Sequence, residues 1–265
     1  MIGRRAVLLL GAAAALGACS SPSDPKASPS SATPSGTPSA SHPVASAPSS
    51  TPSAQPTTAH TGGPAVEVVH GPRSVPAVAL TFHGAGDPAL ASRVLATAEG
   101  AGAAVTVMAV GTWLQGAPHM AERILGGGHE LGNHTLHHRP MRLMDEATAY
   151  AEIVGGLHEV RRFSANPSWF RPSGTPHATR AILAAAGRAG YRTSLSFDVD
   201  PADYTDPGSS VVTARVLAAV RAGSVVSLHL GHAGTARALP GILDGLASRG
   251  LKAVTVTSLL TGVHP

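Results

Sequence analysis

Only one cysteine, Cys19, occurs in the 265 residues, so no intrachain disulfide can form. Aromatic residues make up 3% of the chain, and they are not interleaved with a run of basic side chains. Single-stranded nucleic acids are held by stacking platforms and basic stripes, so nucleic-acid binding is not predicted. The formal net charge of +4 includes two arginines at the extreme N-terminus, which leaves the remainder close to neutral.

The first 18 residues have the pattern of an export signal. Two arginines precede residues 6–16, an apolar stretch too short to remain as a membrane-spanning helix. Residues 16–19, Leu-Gly-Ala-Cys, resemble a bacterial lipobox, which implies cleavage before Cys19 and attachment of lipid to its sulfur. We therefore expect an exported protein, lipid-anchored to the outer face of the bacterial cell membrane. A secreted protein with an unmodified Cys19 is the alternative.

Residues 19–64 are dominated by serine, proline, threonine and alanine. Val44 is the only large aliphatic residue between residues 20 and 60. Such a composition cannot bury enough apolar surface to offset the entropy lost on ordering, so we predict a disordered tether.

Residues 65–265 are enough for one domain with a substantial core. Strand-like and helix-like patterns alternate along them, which favours a parallel sheet covered by helices. Strands are predicted at residues 77–82, 105–110, 169–170, 193–197, 224–230 and 253–257, and helices at 88–101, 120–125, 145–162, 178–189, 211–221 and 239–247. The pattern alone is compatible both with an open doubly wound sheet and with a barrel.

Residues 134–138, His-Thr-Leu-His-His, contain the most informative pair of histidines. On a helical turn, His134 and His138 would project from one face and could share a metal ion. The chain has 14 histidines, so surface or packed imidazoles are the competing interpretation. Polar residues also follow apolar runs at His83, Arg171 and His229, as in active sites at the C-terminal mouth of a parallel barrel.

These segments together resemble the polysaccharide deacetylase family, also called the NodB homology domain, over about residues 75–260. Residues 134–138 match its His-(Ser/Thr)-x-x-His motif, and residues 170–174 (Phe-Arg-Pro-Ser-Gly), 200–204 (Asp-Pro-Ala-Asp-Tyr) and 226–229 (Val-Ser-Leu-His) resemble its third, fourth and fifth motifs in order. The resemblance implies an α/β fold, a distorted (β/α) barrel of about seven parallel strands.

The first motif departs from the family pattern. Where the family has Thr-Phe-Asp-Asp-Gly, this chain has Thr-Phe-His-Gly-Ala, so His83 and Gly84 replace the two aspartates. The second aspartate is the family's third metal ligand, and Gly84 offers no side chain. Asp87 or His83 could take its place. Asp87 also precedes Pro88 and would suit the N-cap of a helix, and the two roles could coexist.

The resemblance assigns further roles. His83 occupies the position of the family's general base, and an imidazole can accept a proton near neutral pH. His229 matches the catalytic acid, with His232 as a nearby competitor. Asp200 resembles the acidic residue that orients this histidine, and Arg171 the residue that braces the carboxylates. The other acidic residues of this region, Asp198, Asp203 and Asp206, could equally be turn formers around Pro201 and Pro207.

The predicted function is therefore that of a metal-dependent hydrolase, with one divalent ion, zinc being expected, at His134, His138 and Asp87. It would remove N-acetyl groups from a cell-wall polysaccharide such as peptidoglycan, acting as a monomer. The alternative is a non-catalytic glycan-binding envelope lipoprotein on a deacetylase fold, which the loss of the aspartates favours. Hydrolysis of an amide or ester of another acyl substrate is a third possibility.

Overall fold

The computed structural model describes residues 63–262. The signal peptide, Cys19 and nearly all of the tether predicted above lie outside this range. All described residues fall within one structural unit of the chain.

Strands and helices alternate along most of the described chain, as predicted. The strands are β1 Val66–Val68, β2 Ala77–Gly84, β3 Thr106–Ala109, β4 Glu130–Asn133, β5 Thr193–Leu195, β6 Val225–His229 and β7 Lys252–Val254. The helices are α1 Pro88–Gly100, α2 Gly111–Gly116, α3 His119–Gly126, α4 Glu146–Arg161, α5 Arg180–Arg188, α6 Ser209–Ala219, α7 Ala233–Ala247 and α8 Val256–Thr261. Short 3-10 turns cover Met141–Leu143 and Asp203–Thr205.

All strand pairings found among the described residues are parallel. One group has the order β4-β3-β2-β6, with β7 also paired to β2, and β1 pairs with β5. Isolated parallel bridges from Phe170 to Asn133 and to Ser194, and from Val199 to Val226, link these groups. The architecture is the expected distorted (β/α) barrel of parallel strands, and the carboxyl ends of β2, β3, β4 and β6 lie at one mouth.

Local sequence explains how the central strand leads into its helix. Strand β2 is buried almost throughout because both of its faces are covered. Asp87 then caps helix α1 by accepting a hydrogen bond from the backbone N–H of Ala89, and Pro88 begins the helix. The buried residues of α1 recur at helical spacing, at Leu90, Ala91, Val94, Leu95 and Ala98.

Some sequence expectations differ from the structure. Of residues 169–170, only Phe170 forms bridges, and these are isolated. Residues 256–257 begin α8 instead of continuing the last strand, because Thr255 accepts a hydrogen bond as an N-cap. Strands β1 and β4 and helices α2 and α8, each three to six residues long, were not predicted. No helix in residues 63–262 is long and apolar enough to cross a membrane.

Candidate metal centre and active site

A cavity of about 700 Å³ opens at the carboxyl ends of the strands. Parallel barrels carry their active sites at this end. Four histidines line it: His83, His138, His229 and His232. Strand pairing brings two of them together, because His83 of β2 lies in register with His229 of β6 and their ring centroids are 4.2 Å apart.

Three imidazoles converge at the base of the cavity. His83, His134 and His138 each offer a nitrogen, and these three atoms lie within 4.8 Å of one another. The ring centroid of His134 is 4.2 Å from that of His83 and 4.9 Å from that of His138. The predicted proximity of His134 and His138 is present, and His83 completes the group.

The prediction that residues 134–138 form a helical turn is wrong. They form a loop after β4, in which Thr135 and His138 have positive φ values of 69° and 59°. This unfavourable backbone is held by local hydrogen bonds. The backbone N–H of Thr135 donates to Asn133 Oδ1 at 2.9 Å, and that of His138 donates to Thr135 Oγ1 at 3.2 Å. The loop therefore presents both histidines without helical spacing.

The donor atoms of this cluster fit a divalent ion. His134 Nδ1 lies 2.9 Å from the carbonyl oxygen of Arg171, so it carries the proton and leaves a lone pair on Nε2. His134 Nε2 and His83 Nδ1 are both buried without a hydrogen-bond partner. Buried polar atoms are seldom left unpaired, and neutral imidazole nitrogens that converge in this way are typical zinc ligands.

Burial favours the neutral form of the histidines in this cluster. Burial, together with the charges of neighbouring histidines, lowers the pKa of His83 and of His134 well below the usual value. Loss of solvation also lowers the pKa of His138. A cation can therefore compete with protons for these nitrogens at neutral pH.

His229 is oriented by Asp203, whereas the sequence assigned this role to Asp200. His229 Nδ1 lies 2.7 Å from Asp203 Oδ1, and the backbone N–H of His229 donates to Asp203 Oδ2. Thr235 Oγ1 also donates to Asp203 Oδ2, and this carboxylate is fully buried. Asp203 reaches His229 because left-handed backbone at Ala202 directs the following 3-10 turn inward.

Asp200 has a different environment. It lines the cavity, and its Oδ1 accepts a hydrogen bond from the backbone N–H of Ala202. Its negative charge also acts to raise the pKa of Arg171. The spacing of the two aspartates around Pro201 did not indicate which of them contacts the imidazole. Asp203, for which a turn-forming role was equally open, is the residue that orients His229.

Arg171 is buried and charged, but its hydrogen bonds go to neutral groups. Its guanidinium donates to Thr81 Oγ1 at 2.8 Å and to the carbonyl oxygens of Leu195 and Ser196. Burial lowers its pKa to about 9, which leaves it protonated at neutral pH. Arg171 was predicted to brace carboxylates. It hydrogen-bonds instead to Thr81 and to backbone carbonyl oxygens, because His83 and Gly84 stand where the family has aspartates.

The structure places Asp87 outside the cluster. Its side chain is exposed and caps α1, and it is not among the grouped ligand atoms. Gly84 cannot contribute a ligand either. A Cβ atom there would lie 2.8 Å from Val107 Cγ1 and 2.9 Å from Ala109 Cα, closer than real contacts allow. Of the two predicted roles for Asp87, the described residues support the cap.

Two polar residues near the site, Ser227 and Glu152, were not predicted. Ser227 Oγ lies 3.2 Å from His83 Nε2, and Glu152 binds His137 in the histidine loop. His232 Nδ1 lies 3.0 Å from Asp206 Oδ1, as a second His–Asp pair at the cavity. Ser227 lies in a strand and Glu152 in a helix, so only their tertiary contacts reveal them.

Comparison with known proteins agrees with this architecture. A family model described as polysaccharide deacetylase matches residues 70–194. The chain is 31% identical over 197 residues to a peptidoglycan-N-acetylglucosamine deacetylase of Bacillus cereus, an alignment that covers 73% of this chain and 92% of the relative. It is also 31% identical over 167 residues to a chitooligosaccharide deacetylase of Bradyrhizobium sp., covering 62% and 74% of the two chains.

Solved structures share the fold. The crystal structure of a CE4 family pseudoenzyme from Bacillus anthracis matches with a TM-score of 0.68 at 21% identity, over 73% of this chain and 68% of that chain. A mutant of that pseudoenzyme with restored enzymatic activity matches with the same TM-score at 22% identity, over 73% and 71% of the chains. Sequence and fold lead to one conclusion: the chain belongs to the polysaccharide deacetylase family.

Proposed function

We propose that this protein is a metal-dependent hydrolase that removes N-acetyl groups from a cell-wall polysaccharide such as peptidoglycan. The observation that carries the proposal is the placement of His229, with its buried Asp203 partner, beside the convergent histidines of one cavity. The named relatives that act on peptidoglycan and chitooligosaccharides support an N-acetylated glycan as the substrate class.

His134 and His138 would supply two ligands to a single divalent ion, with zinc as the expected metal. Such an ion would polarise the acetamide carbonyl and activate water, which amide hydrolysis at neutral pH requires. Water would add to the carbonyl carbon, the carbon–nitrogen bond would break, and acetate and a free amine would leave.

His229 would donate the proton that the departing amine needs. Asp203 fixes the imidazole with Nδ1 toward the carboxylate, so Nε2 is the nitrogen available for proton transfer. The buried carboxylate also compensates the positive charge of the protonated ring. Arg171 would keep the carbonyl ends of neighbouring strands and Thr81 in place beneath the site.

The compartment is part of the proposal. Lipid attachment at Cys19 would hold the protein at the outer face of the cell membrane, and the segment at residues 19–64 would let the domain reach glycan strands in the wall. The substrate would then be peptidoglycan in preference to chitin, because peptidoglycan is the N-acetylated polymer of the bacterial envelope.

One observation favours a second candidate, a non-catalytic glycan-binding protein. Within residues 63–262, the grouped metal ligands are all histidines and include no carboxylate that could act as a general base. A protein of the same fold is described as a pseudoenzyme, which shows that the architecture persists without activity in at least one relative.

Acetate release distinguishes the two candidates. Purified full-length protein, solubilised in detergent and supplied with zinc, should release acetate from N-acetylated peptidoglycan, and an Asp203→Asn variant should release far less. Retention of peptidoglycan without acetate release would favour the glycan-binding candidate and would contradict the hydrolase.

A further inference from the structure

We infer that His83 is the third metal ligand, through Nδ1, and that the site is a three-histidine centre. This deepens the proposed function, since it rests on a metal bound at His134 and His138. The position that resembles the family's general base would thus serve binding instead of proton transfer.

The orientation of His83 is fixed by its neighbours. Strand β2 carries the ring to the mouth of the barrel, and Ser227 Oγ lies 3.2 Å from its Nε2. Nδ1 is left buried and without a hydrogen-bond partner. Since an unpaired buried nitrogen is unfavourable, the arrangement is explained if Nδ1 has a partner that is not a protein atom.

His134 has the complementary arrangement. Its Nδ1 is held by the carbonyl oxygen of Arg171, and its Nε2 is the unpaired buried atom. One imidazole on strand β2 and one on the loop after β4 therefore present one free nitrogen each, and the ring of His138 adds the third within the same 4.8 Å group. Two nitrogens on one zinc ion lie at most about 4.2 Å apart, so small side-chain shifts would bring all three into contact.

Other sources for the third ligand fit less well. The Asp87 carboxylate is exposed and caps α1. Position 84 has no room even for a Cβ, because Val107, Ala109 and Trp113 fill the space. In the first motif of this chain, the imidazole of His83 would therefore take the place of the carboxylate that the family carries at position 84.

This assignment has chemical consequences. A lone pair shared with a metal cannot also accept a proton, so His83 would not act as the general base. The centre would hold its ion with three neutral ligands and leave the full charge of the ion uncompensated, which strengthens its effect on bound groups. Imidazole ligands also favour zinc, copper or nickel over magnesium or calcium.

Ser227 acts in this scheme as a positioning residue. Ser227 is 1% exposed, and its hydroxyl contacts His83 at Nε2, the ring nitrogen other than the free Nδ1. Such outer contacts orient imidazole ligands, and their loss typically weakens metal affinity by about 10- to 100-fold. Ser227→Ala should therefore weaken zinc binding without removing a ligand.

Zinc titration by calorimetry of the full-length protein in detergent tests the assignment. His83→Ala should weaken zinc affinity by more than Ser227→Ala, for which we expect a loss of about 10- to 100-fold. His232→Ala is the matched control: His232 lines the same cavity but contacts Asp206, and its loss should leave zinc affinity unchanged. Circular dichroism checks that each variant is folded.

Nitrogen-15 spectra of the wild-type imidazoles give a second readout that needs no variant to fold. Zinc should shift the signals of His83 Nδ1 and His134 Nε2, but not that of His232. Wild-type zinc affinity in His83→Ala, or an unshifted His83 Nδ1, would overturn the inference. Acetate release by a protein with unshifted His83 would overturn only the inference, whereas zinc bound at His83 without acetate release would overturn only the proposed function.

Discussion

The carboxylate of Glu152 contacts both the backbone N–H and the imidazole ring of His137. Glu152 Oε2 accepts a hydrogen bond from the backbone N–H of His137 at 2.9 Å, and Oε1 lies 2.8 Å from the imidazole Nδ1. His137 immediately precedes the candidate ligand His138 on the loop, and Glu152 is buried in α4. His137, which is not itself a candidate ligand, thus connects the loop to helix α4.

We predict that Glu152→Gln weakens zinc affinity by about 10- to 100-fold, because the loop that presents His138 loses a charged anchor. Glu159→Gln is the control, since Glu159 is a buried glutamate of the same helix that contacts Gln115 and Arg162 instead. Calorimetric zinc titrations compare the two. Equal affinities in both variants would contradict a role for Glu152 in positioning His138.

The contact between Asp203 and His229 predicts that a change at Asp203 lowers turnover but leaves metal binding intact. Asp203→Asn should lower the turnover number by about 10²- to 10⁴-fold, because the imidazole loses its orientation and the compensation of its charge. Zinc stoichiometry should stay at one. Asp206→Asn, which alters the exposed partner of His232, is the matched control and should retain turnover.

The lowered pKa values of the cluster predict how stability depends on pH without metal. Burial lowers the pKa of His83, His134 and His138 in the folded state, whereas unfolded histidines titrate near about 6.5. The unfolded state then binds more protons below about pH 6.5, so the free energy of unfolding falls as the pH falls.

Chemical unfolding of chelator-treated protein at about pH 7.5 and about pH 5.5 measures this effect. The His134→Ala variant should show a smaller difference between the two values. Some acidic groups also have lowered pKa values, namely Glu99, Glu159 and Asp145. Their protonation would therefore change the free energy of unfolding only at a pH below the two conditions compared. An unchanged free energy of unfolding between the two conditions would contradict the prediction.

The packing around Gly84 predicts that restoring the family's second aspartate fails. Gly84→Asp should lower the free energy of unfolding by at least about 1–3 kcal/mol, the cost typical of overpacking. The reason is that its Cβ would lie too close to Val107 and to the backbone of Ala109. Gly100→Asp is the control, since a Cβ there meets nothing within 4 Å. Thermal unfolding compares them. Tighter zinc binding in a stable Gly84→Asp protein would show that the first motif is not remodelled.

The sequence motif at residues 16–19 predicts that Cys19→Ala blocks lipid attachment and releases the protein from the membrane. Cell fractionation and the mass of the mature chain measure this. An unmodified Cys19 on a mature wild-type chain would remove the basis for a membrane tether.

The general architecture and most of the histidines of the site could be predicted from the sequence. Apolar runs that end in His83 and His229 predicted strands delivering side chains to one mouth, since parallel strands share their carboxyl ends. The spacing of His134 and His138 predicted their proximity but the wrong conformation. A spacing of four suits a helix, and the positive φ values at Thr135 and His138 depend on contacts with Asn133 and α4.

Other features depend on tertiary contacts that no spacing reveals. Asp200 and Asp203 both fit the fourth motif, and only the fold shows that Asp203 reaches His229. Ser227 is an ordinary residue of a buried strand until β2 places His83 beside it. The Gly84 substitution likewise looked like the loss of a ligand, whereas the structure shows a space already filled by Trp113 and Val107.

Acetate release from peptidoglycan, measured while zinc is added to chelator-treated full-length protein, tests the central claim most directly. We predict that the rate rises in proportion to zinc and reaches its maximum at one equivalent, and that His134→Ala releases no acetate at any zinc concentration. Acetate release that is independent of added metal, or none from the wild-type protein with one zinc bound, would contradict the account.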